Sequence, residues 1–482
     1  MQTPSILFAA SEMTPLIKTG GLADVAASLT SALRGLGCAV RVVLPFYGDL
    51  EGRVQSPRSI AKTRLHDRDV EVFECTASGG QQVWLVACPE LFGRGGGPYV
   101  DADGRDWPDN ADRFALFSRV IAWLATHPVT TDFHADVVHL NDWQTALAAA
   151  LLAGDPRAPA TLFCIHNLAY RGIYDRATFD RLGLPPELWS IDGLEFHGSM
   201  AFIKGGIAFA DGIATVSPSY AAEIQTPEYG EGLDGLIRHR ASVLRGIVNG
   251  IDPSVWNPAI DPLLRARYTA KTVERKSINK RALKVQMGLD EADVPLLGVV
   301  SRLAHQKGID LIVDLADALA SLPTQLAVLG SGDPAVEEAL RAASARHPGR
   351  IAFRRGHDEA LAHMIEAGAD IFLMPSRFEP CGLNQMYSQA YGTVPVARGT
   401  GGLLDTIRQV SGRTGTGFLF GPPTPDALLD AIKSAVATLQ NRRVWRPIQR
   451  NGMAQDFSWH NSASQYLGAY RDVIAAASAR RR

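Results

Sequence analysis

The feature that constrains this chain most is a rhythm that runs twice. Short apolar runs alternate with Ala- and Leu-rich helical stretches. Residues 6–10 read as a strand, followed by a Gly-containing loop and a helix over 22–36. Further strands are predicted at 40–44, 83–87, 136–140 (leading into a helix over 144–152), 161–165 and 212–216. After Asp261 the series restarts, with a strand at 296–300, a helix over 308–320 and a strand at 325–329 before a Gly-Ser-Gly turn. Strands at 351–354, 371–374 and 394–397 follow. Continuous apolar strands between helices indicate parallel sheets covered on both faces. The fold class expected is therefore α/β, with two doubly wound, Rossmann-like domains. A Gly-, Pro-, Asn- and Asp-rich stretch at 245–262 marks the boundary, giving domains at 1–245 and 246–456 and a helix-like tail at 457–482. The tail ends in Arg480-Arg481-Arg482, read as a solvated end. The region 75–110, with Gly79-Gly80 and Gly95-Gly96-Gly97, reads as a hairpin and mobile loop. Ligands of such sheets sit beyond the carboxyl ends of the strands, and the cleft between two facing sheets is the expected active site.

Several segments at those strand ends carry chemistry. Lys18-Thr19-Gly20-Gly21-Leu22 follows the first strand and opens the first helix. Two glycines let backbone approach a ligand, helix-start N–H groups attract anions, and Lys18 adds a cation. A near copy, Gly399-Thr400-Gly401-Gly402-Leu403, stands in the same context in the second half. Arg302 and Lys307 lie between the strand ending at Val300 and the next helix, where two cations suit a diphosphate. Glu379, within Ser376 to Leu383, is a carboxylate suited to sugar hydroxyls or to positive charge at an anomeric carbon; a helix-start carboxylate is the plainer reading. Cys381 reads as a small packing residue. His166-Asn167 and Asp142-Trp143 end two first-half strands; Asp142 also reads as a helix cap, and His139 as a buried structural histidine.

Composition removes other classes. The formal net charge is −2, so no global field draws nucleic acid or an anionic membrane. No apolar run reaches the length of a membrane span. The five cysteines form no C-x-x-C pair, which argues against a zinc ribbon or disulfide framework and for a reducing compartment, the cytoplasm. No metal site is expected. Neither a Walker loop nor a G-x-G-x-x-G fingerprint opening the first helix is present.

Taken in order, these segments resemble the family of bacterial glycogen synthases and plant starch synthases. The resemblance runs almost end to end. It includes Lys18 to Val25, Val138-His139 with Asp142-Trp143, His166 to Tyr170, Glu195-Phe196-His197-Gly198 and Val216-Ser217-Pro218. It continues with Val248 to Asp252, Arg302 with Gln306-Lys307-Gly308, Pro375 to Leu383, and Thr400 to Leu403 with Asp405-Thr406. It implies GT-B architecture, two facing Rossmann-like domains with the C-terminal helix returning to the first. It implies transfer of glucose from ADP-glucose to the non-reducing end of an α-1,4-glucan, with retention and with no metal or other cofactor. By the same resemblance Lys18, Gly20 and Gly21 lie at the phosphates or glucose. Arg302 and Lys307 bind the distal phosphate, to which Gly401 and Gly402 donate N–H groups. Glu379 supports the glucosyl unit, His166 lies near its reacting face, and Asp142 belongs to the sugar or acceptor site. Asn167, His357, Cys381, Gly382, Leu383 and Thr400 complete the substrate-binding set.

The sequence departs from that pattern in three places. Asn141 and Gln144 stand where many relatives have His, His357 where an adenine-stacking Tyr is frequent, and Gly399 where a larger residue is common. UDP-glucose as donor, another acceptor, a pyridoxal-dependent phosphorylase and a non-catalytic glucan-binding relative are the competing readings. A plastid form with a transit peptide is not expected.

Overall fold

The computed structural model describes residues 3–50, 52–54, 56–77, 80–101 and 103–480. The chain divides into two units, Met1–Gly250 with Trp459–Arg482, and Ile251–Ser458.

The first unit is built on strands β1 (Ser5–Ala9), β2 (Ala39–Pro45), β3 (Arg58–Leu65), β4 (Arg68–Ala77), β5 (Gln81–Ala87), β6 (Val137–Asn141) and β7 (Ala160–Ile165). A small three-stranded sheet uses β8 (Ile173–Tyr174), β9 (Glu195–Phe196) and β10 (Ser199–Ala201), and β11 (Gly212–Thr215) and β12 (Leu244–Gly246) complete the large one. The order of the large sheet is β12-β11-β7-β6-β1-β2-β5-β4-β3. From β12 to β5 every neighbour is parallel. The residues of β6 and β7 are all buried, because helices cover both faces.

The antiparallel pair β3–β4 was not foreseen. It is an edge hairpin whose exposed face carries Arg58, Lys62 and Arg64, so it lacks the continuous apolar run that marks a central strand. His66 and Asp67, both at positive φ, make its two-residue turn. Gly79, part of the predicted hairpin loop, lies outside the described residues. The C-terminal helix Trp459–Arg480 packs on the helix Gly21–Gly35 and on β6 and β7. Tyr470 bonds His139 Nδ1 at 2.8 Å, and burial drives that imidazole's pKa down to about 3. Arg480 is not merely solvated: it pairs with the buried carboxylate of Asp211. Arg481 and Arg482 lie outside the described residues.

The second unit holds β13 (Leu296–Leu303), β14 (Gln325–Gly332), β15 (Ile351–Arg355), β16 (Ile371–Met374), β17 (Val394–Arg398) and β18 (Phe418–Phe420). All are parallel, in the order β15-β14-β13-β16-β17-β18. Alternate residues serve opposite faces: Leu297, Val299 and Val328 join one core with Ile312 and Ile432, and Leu296, Ala327 and Leu329 join the other with Leu361 and Ile365.

Three expectations change here. Gly330-Ser331-Gly332 continues β14 instead of turning; a Cβ on Gly330 would stand 2.1 Å from Ser301 O, so glycine is there for close strand approach. Strand β13 likewise runs on to Leu303, which puts Arg302 in the strand and not in a loop. The helix expected over 308–320 is two helices, Ile309–Asp314 and Ala316–Ser321, broken at Leu315.

Among its parallel strands each large sheet has one point where the strand order reverses. In the first unit it lies between β1 and β6, in the second between β13 and β16. Doubly wound sheets bind ligands beyond the strand ends at such points.

Candidate active site

At the reversal point of the first unit, β1 runs into Ala10-Ser11-Glu12. Glu12 is buried, and no motif in the sequence marks it. Its Oε2 accepts the N–H of Gly20 at 3.0 Å and that of Thr19 more closely. The glycine loop was expected to offer these amides to a ligand anion; the protein's own carboxylate already takes two of them. Tyr99 OH approaches Glu12 Oε1 at 3.4 Å and Ser11 Oγ at 2.7 Å. Burial raises the Glu12 carboxyl above its ordinary range, against the lowering effect of the two amides. Lys18 is not unattached either: its Nζ lies 3.0 Å from Asp24.

Asp142 follows β6 with φ 56°, ψ −177°, a region L residues seldom occupy and one that often marks functional positions. It sits at the N-cap of the helix Trp143–Leu152, but its side chain makes no cap bond. Instead Oδ1 accepts from His166 N at 2.7 Å and Asn167 N at 3.3 Å, reaching across to the loop after β7. Burial raises its pKa to about 7 against the pull of these amides, with Glu12 adding to the rise. His166 Nε2 meets Asn141 Oδ1 at 2.8 Å, and burial lowers its pKa to about 3. Asn167 uses its own Oδ1 to accept the N–H of Ala169.

At the reversal point of the second unit, the loops after β13 and β16 are zipped together. Gly308, at φ 64°, comes so close to Pro375 that a Cβ would stand 2.1 Å from its carbonyl oxygen. Arg377 N donates to Gln306 O at 2.8 Å, and the Arg377 guanidinium forks onto Asp310 at 2.7 and 2.6 Å. Across this seam Lys307 Nζ lies 2.6 Å from Glu379 Oε2. Ser376 Oγ donates to the same oxygen at 2.9 Å. The two residues expected to serve phosphate and sugar separately are thus ion partners. Arg302 is exposed at the end of β13.

The second glycine loop is tied to the same glutamate. Gly402 N, an amide the resemblance assigns to the phosphate, donates here to Glu379 O at 3.0 Å. A Cβ on Gly402 would stand 2.4 Å from Cys381 O, which demands glycine. Gly401, at φ 46°, caps the helix Gly402–Thr406, and Thr400 is buried. Cys381 is buried, Gly382 has φ 73°, and Leu383 caps the helix Asn384–Ala390. His357 lies just past β15, exposed, 3.6 Å from Glu359. Among the described residues no group of three or more His, Cys, Asp or Glu is arranged to hold a metal ion, and no helix is long and apolar enough to cross a membrane.

The starch synthase catalytic domain family matches residues 5–239, and the glycosyl transferases group 1 family matches residues 283–451. Glycogen synthase 1 of Methylococcus capsulatus is 50% identical over 98% of this chain and 97% of its own length. The chain belongs to the glycogen synthase family. The glycogen synthase of Thioalkalivibrio sulfidiphilus is also 50% identical, over 98% of this chain and 100% of its own. The catalytic domain of starch synthase IV from Arabidopsis thaliana, bound to ADP and acarbose, superimposes with a TM-score of 0.89 at 31% identity, covering 98% of this chain and 100% of that one. Membership in the glycogen synthase family makes the chain a GT-B glycosyltransferase, with a nucleotide sugar as donor and a glucan as acceptor.

Proposed function

We propose that the enzyme transfers glucose from ADP-glucose to the non-reducing end of an α-1,4-glucan, with retention at the anomeric carbon. The observation that carries the residue assignments is the Lys307–Glu379 pair, flanked by Ser376, at the reversal point of the second unit. ADP in the starch synthase IV structure supports the adenine nucleotide.

As the bond from the anomeric carbon to the phosphate oxygen breaks, negative charge grows on ADP and positive charge on the sugar. Arg302 and Lys307 meet the first, with Thr400 and Gly401 beside them; Glu379 meets the second. A diphosphate reaching Lys307 shares an ammonium already held by Glu379, so one pair links leaving group and sugar. The acceptor hydroxyl attacks from the face the phosphate leaves, and its proton passes to the departing phosphate oxygen. His166 and Asn167 contact the glucosyl unit, and Asp142 braces their loop. Lys18, Gly20 and Gly21 line the donor, their loop held by Glu12. Cys381, Gly382 and Leu383 shape the sugar pocket, and His357 stacks on the base. Preorganised charges of this kind contribute several kcal/mol where water is excluded. The cytoplasm is the expected compartment, supported by five buried cysteines that form no disulfide.

Product analysis tests the reaction. Glycogen labelled from ADP-glucose is digested with β-amylase, which removes maltose from non-reducing α-1,4 ends. Label released as maltose is expected; label resistant to the enzyme on linear chains would overturn the linkage or the end assigned.

A further inference from the structure

One buried side chain at the end of β6 has no part in the reaction as written above. Asn141 is fully buried. Its Nδ2 donates to Ala9 O at 2.8 Å, and its Oδ1 lies 2.8 Å from His166 Nε2. A backbone carbonyl only accepts, so the amide nitrogen must face Ala9 and the amide oxygen must face His166. That oxygen also only accepts. The imidazole proton therefore sits on Nε2, and Nδ1 carries the lone pair. Asn141 itself has little freedom: it pairs with Cys164 in the β6–β7 ladder, and its carbonyl accepts Thr145 Oγ1 at 2.9 Å. With the His166 pKa pushed down to about 3 by burial, the neutral ring with one proton to place is the form present at neutral pH.

We infer that Asn141 is a positioning residue that sets the tautomer of His166, so that His166 meets the donor sugar as a hydrogen-bond acceptor through Nδ1. One amide thereby joins the ends of three strands, β1 through Ala9, β6 through itself and β7 through His166. The other tautomer would place an N–H at Nδ1 and set it against the amide oxygen's demand for a donor at Nε2. The inference rests on the reading of His166 as a sugar contact, but the tautomer can be observed without any ligand.

The test uses full-length protein carrying ¹⁵N-histidine, with the His166 signals assigned by their loss in His166→Gln. Long-range ¹H–¹⁵N correlation at neutral pH should show a pyrrole-type Nε2 and a pyridine-type Nδ1. In Asn141→Ala that preference should weaken or reverse. The Ala variant's kcat should fall on the order of 10–100-fold, the range seen for outer partners that orient metal-ligating histidines, with little change in donor KM. Asn141→Asp loses the donor to Ala9 O but still accepts from Nε2, so it should keep the wild-type pattern; if the Ala variant fails to fold, the wild-type spectrum alone still tests the tautomer. A proton on Nδ1 in the wild type, or an unchanged pattern in Asn141→Ala, would overturn the inference. Wild-type transfer by His166→Gln would instead overturn the role of His166 itself.

Discussion

Replacing Lys307 by Met separates two jobs of one ammonium, the ion pair with Glu379 seen in the structure and the proposed contact with the donor's phosphate. Its Nζ is 2.6 Å from Glu379 Oε2; the Glu379 side chain is only 5% exposed and that of Lys307 20%. Breaking a fully buried pair from one side costs about 3–5 kcal/mol, because the remaining charge is left without a partner. Lys307 keeps some contact with solvent, and Ser376 still donates to Glu379, so the lower end, ~3 kcal/mol, is the reasonable figure. For a domain of roughly two hundred residues that corresponds to a fall in Tm of about 6–12 °C. The double change Lys307→Met with Glu379→Gln removes both charges and should recover most of that loss. Catalysis should behave differently. Loss of one preorganised donor to a developing oxyanion costs about 10²–10³-fold in rate, and the double variant should regain none of it. Thermal unfolding and initial rates of glucose incorporation on the same three preparations check both parts. A single variant as stable as wild type, a double variant no more stable than the single, or a single variant within about threefold of wild-type rate would refute the reasoning.

Two further outcomes follow from the first unit. Asp142 has a folded pKa raised to about 7, so its contribution to stability is full below the unfolded carboxyl value and is lost as pH rises through 7. Asp142→Asn should therefore gain Tm over wild type progressively from about pH 4 to pH 8; a pH-independent Tm difference would contradict this. Glu12→Ala leaves the Thr19 and Gly20 amides without their acceptor, and donor KM should rise roughly 10-fold or more, as expected for loss of charge-assisted hydrogen bonds, with Glu12→Gln between Ala and wild type; an unchanged donor KM in the Ala variant would show that the loop needs no such anchor.

The central strands were legible because both of their faces are buried, which writes them as unbroken apolar runs: β1, β6, β7, β13 and β16 all lie within two or three residues of the expected bounds. The β3–β4 hairpin escaped because an edge hairpin with an exposed, charged face carries no such run, and its turn uses His66-Asp67 instead of a glycine pair. Gly330 and Gly332 were misread because a glycine required by a neighbouring backbone looks the same as a glycine required by a turn. At the candidate site, the positions of Lys18, Asp142, His166, Arg302, Lys307 and Glu379 near strand ends are legible in the sequence. Their partners were not. That Glu12 holds Thr19 and Gly20, that Asp142 turns from its own helix toward the β7 loop, and that Glu379 takes both Lys307 and the Gly402 amide are tertiary facts set by which strands lie side by side. A buried acid between an apolar strand and a glycine loop was the available signal for Glu12. Asn141 stood out only as a departure from relatives, and its work became visible with Ala9 and His166 on either side.

The most direct measurement is incorporation of labelled glucose into glycogen by the purified protein, from ADP-glucose and UDP-glucose side by side at equal concentrations. Rapid incorporation from ADP-glucose is expected, with little competition from excess UDP-glucose and loss of the signal in Lys307→Met. Equal or faster transfer from UDP-glucose would contradict the donor assigned here, and no transfer from either would contradict the reaction itself.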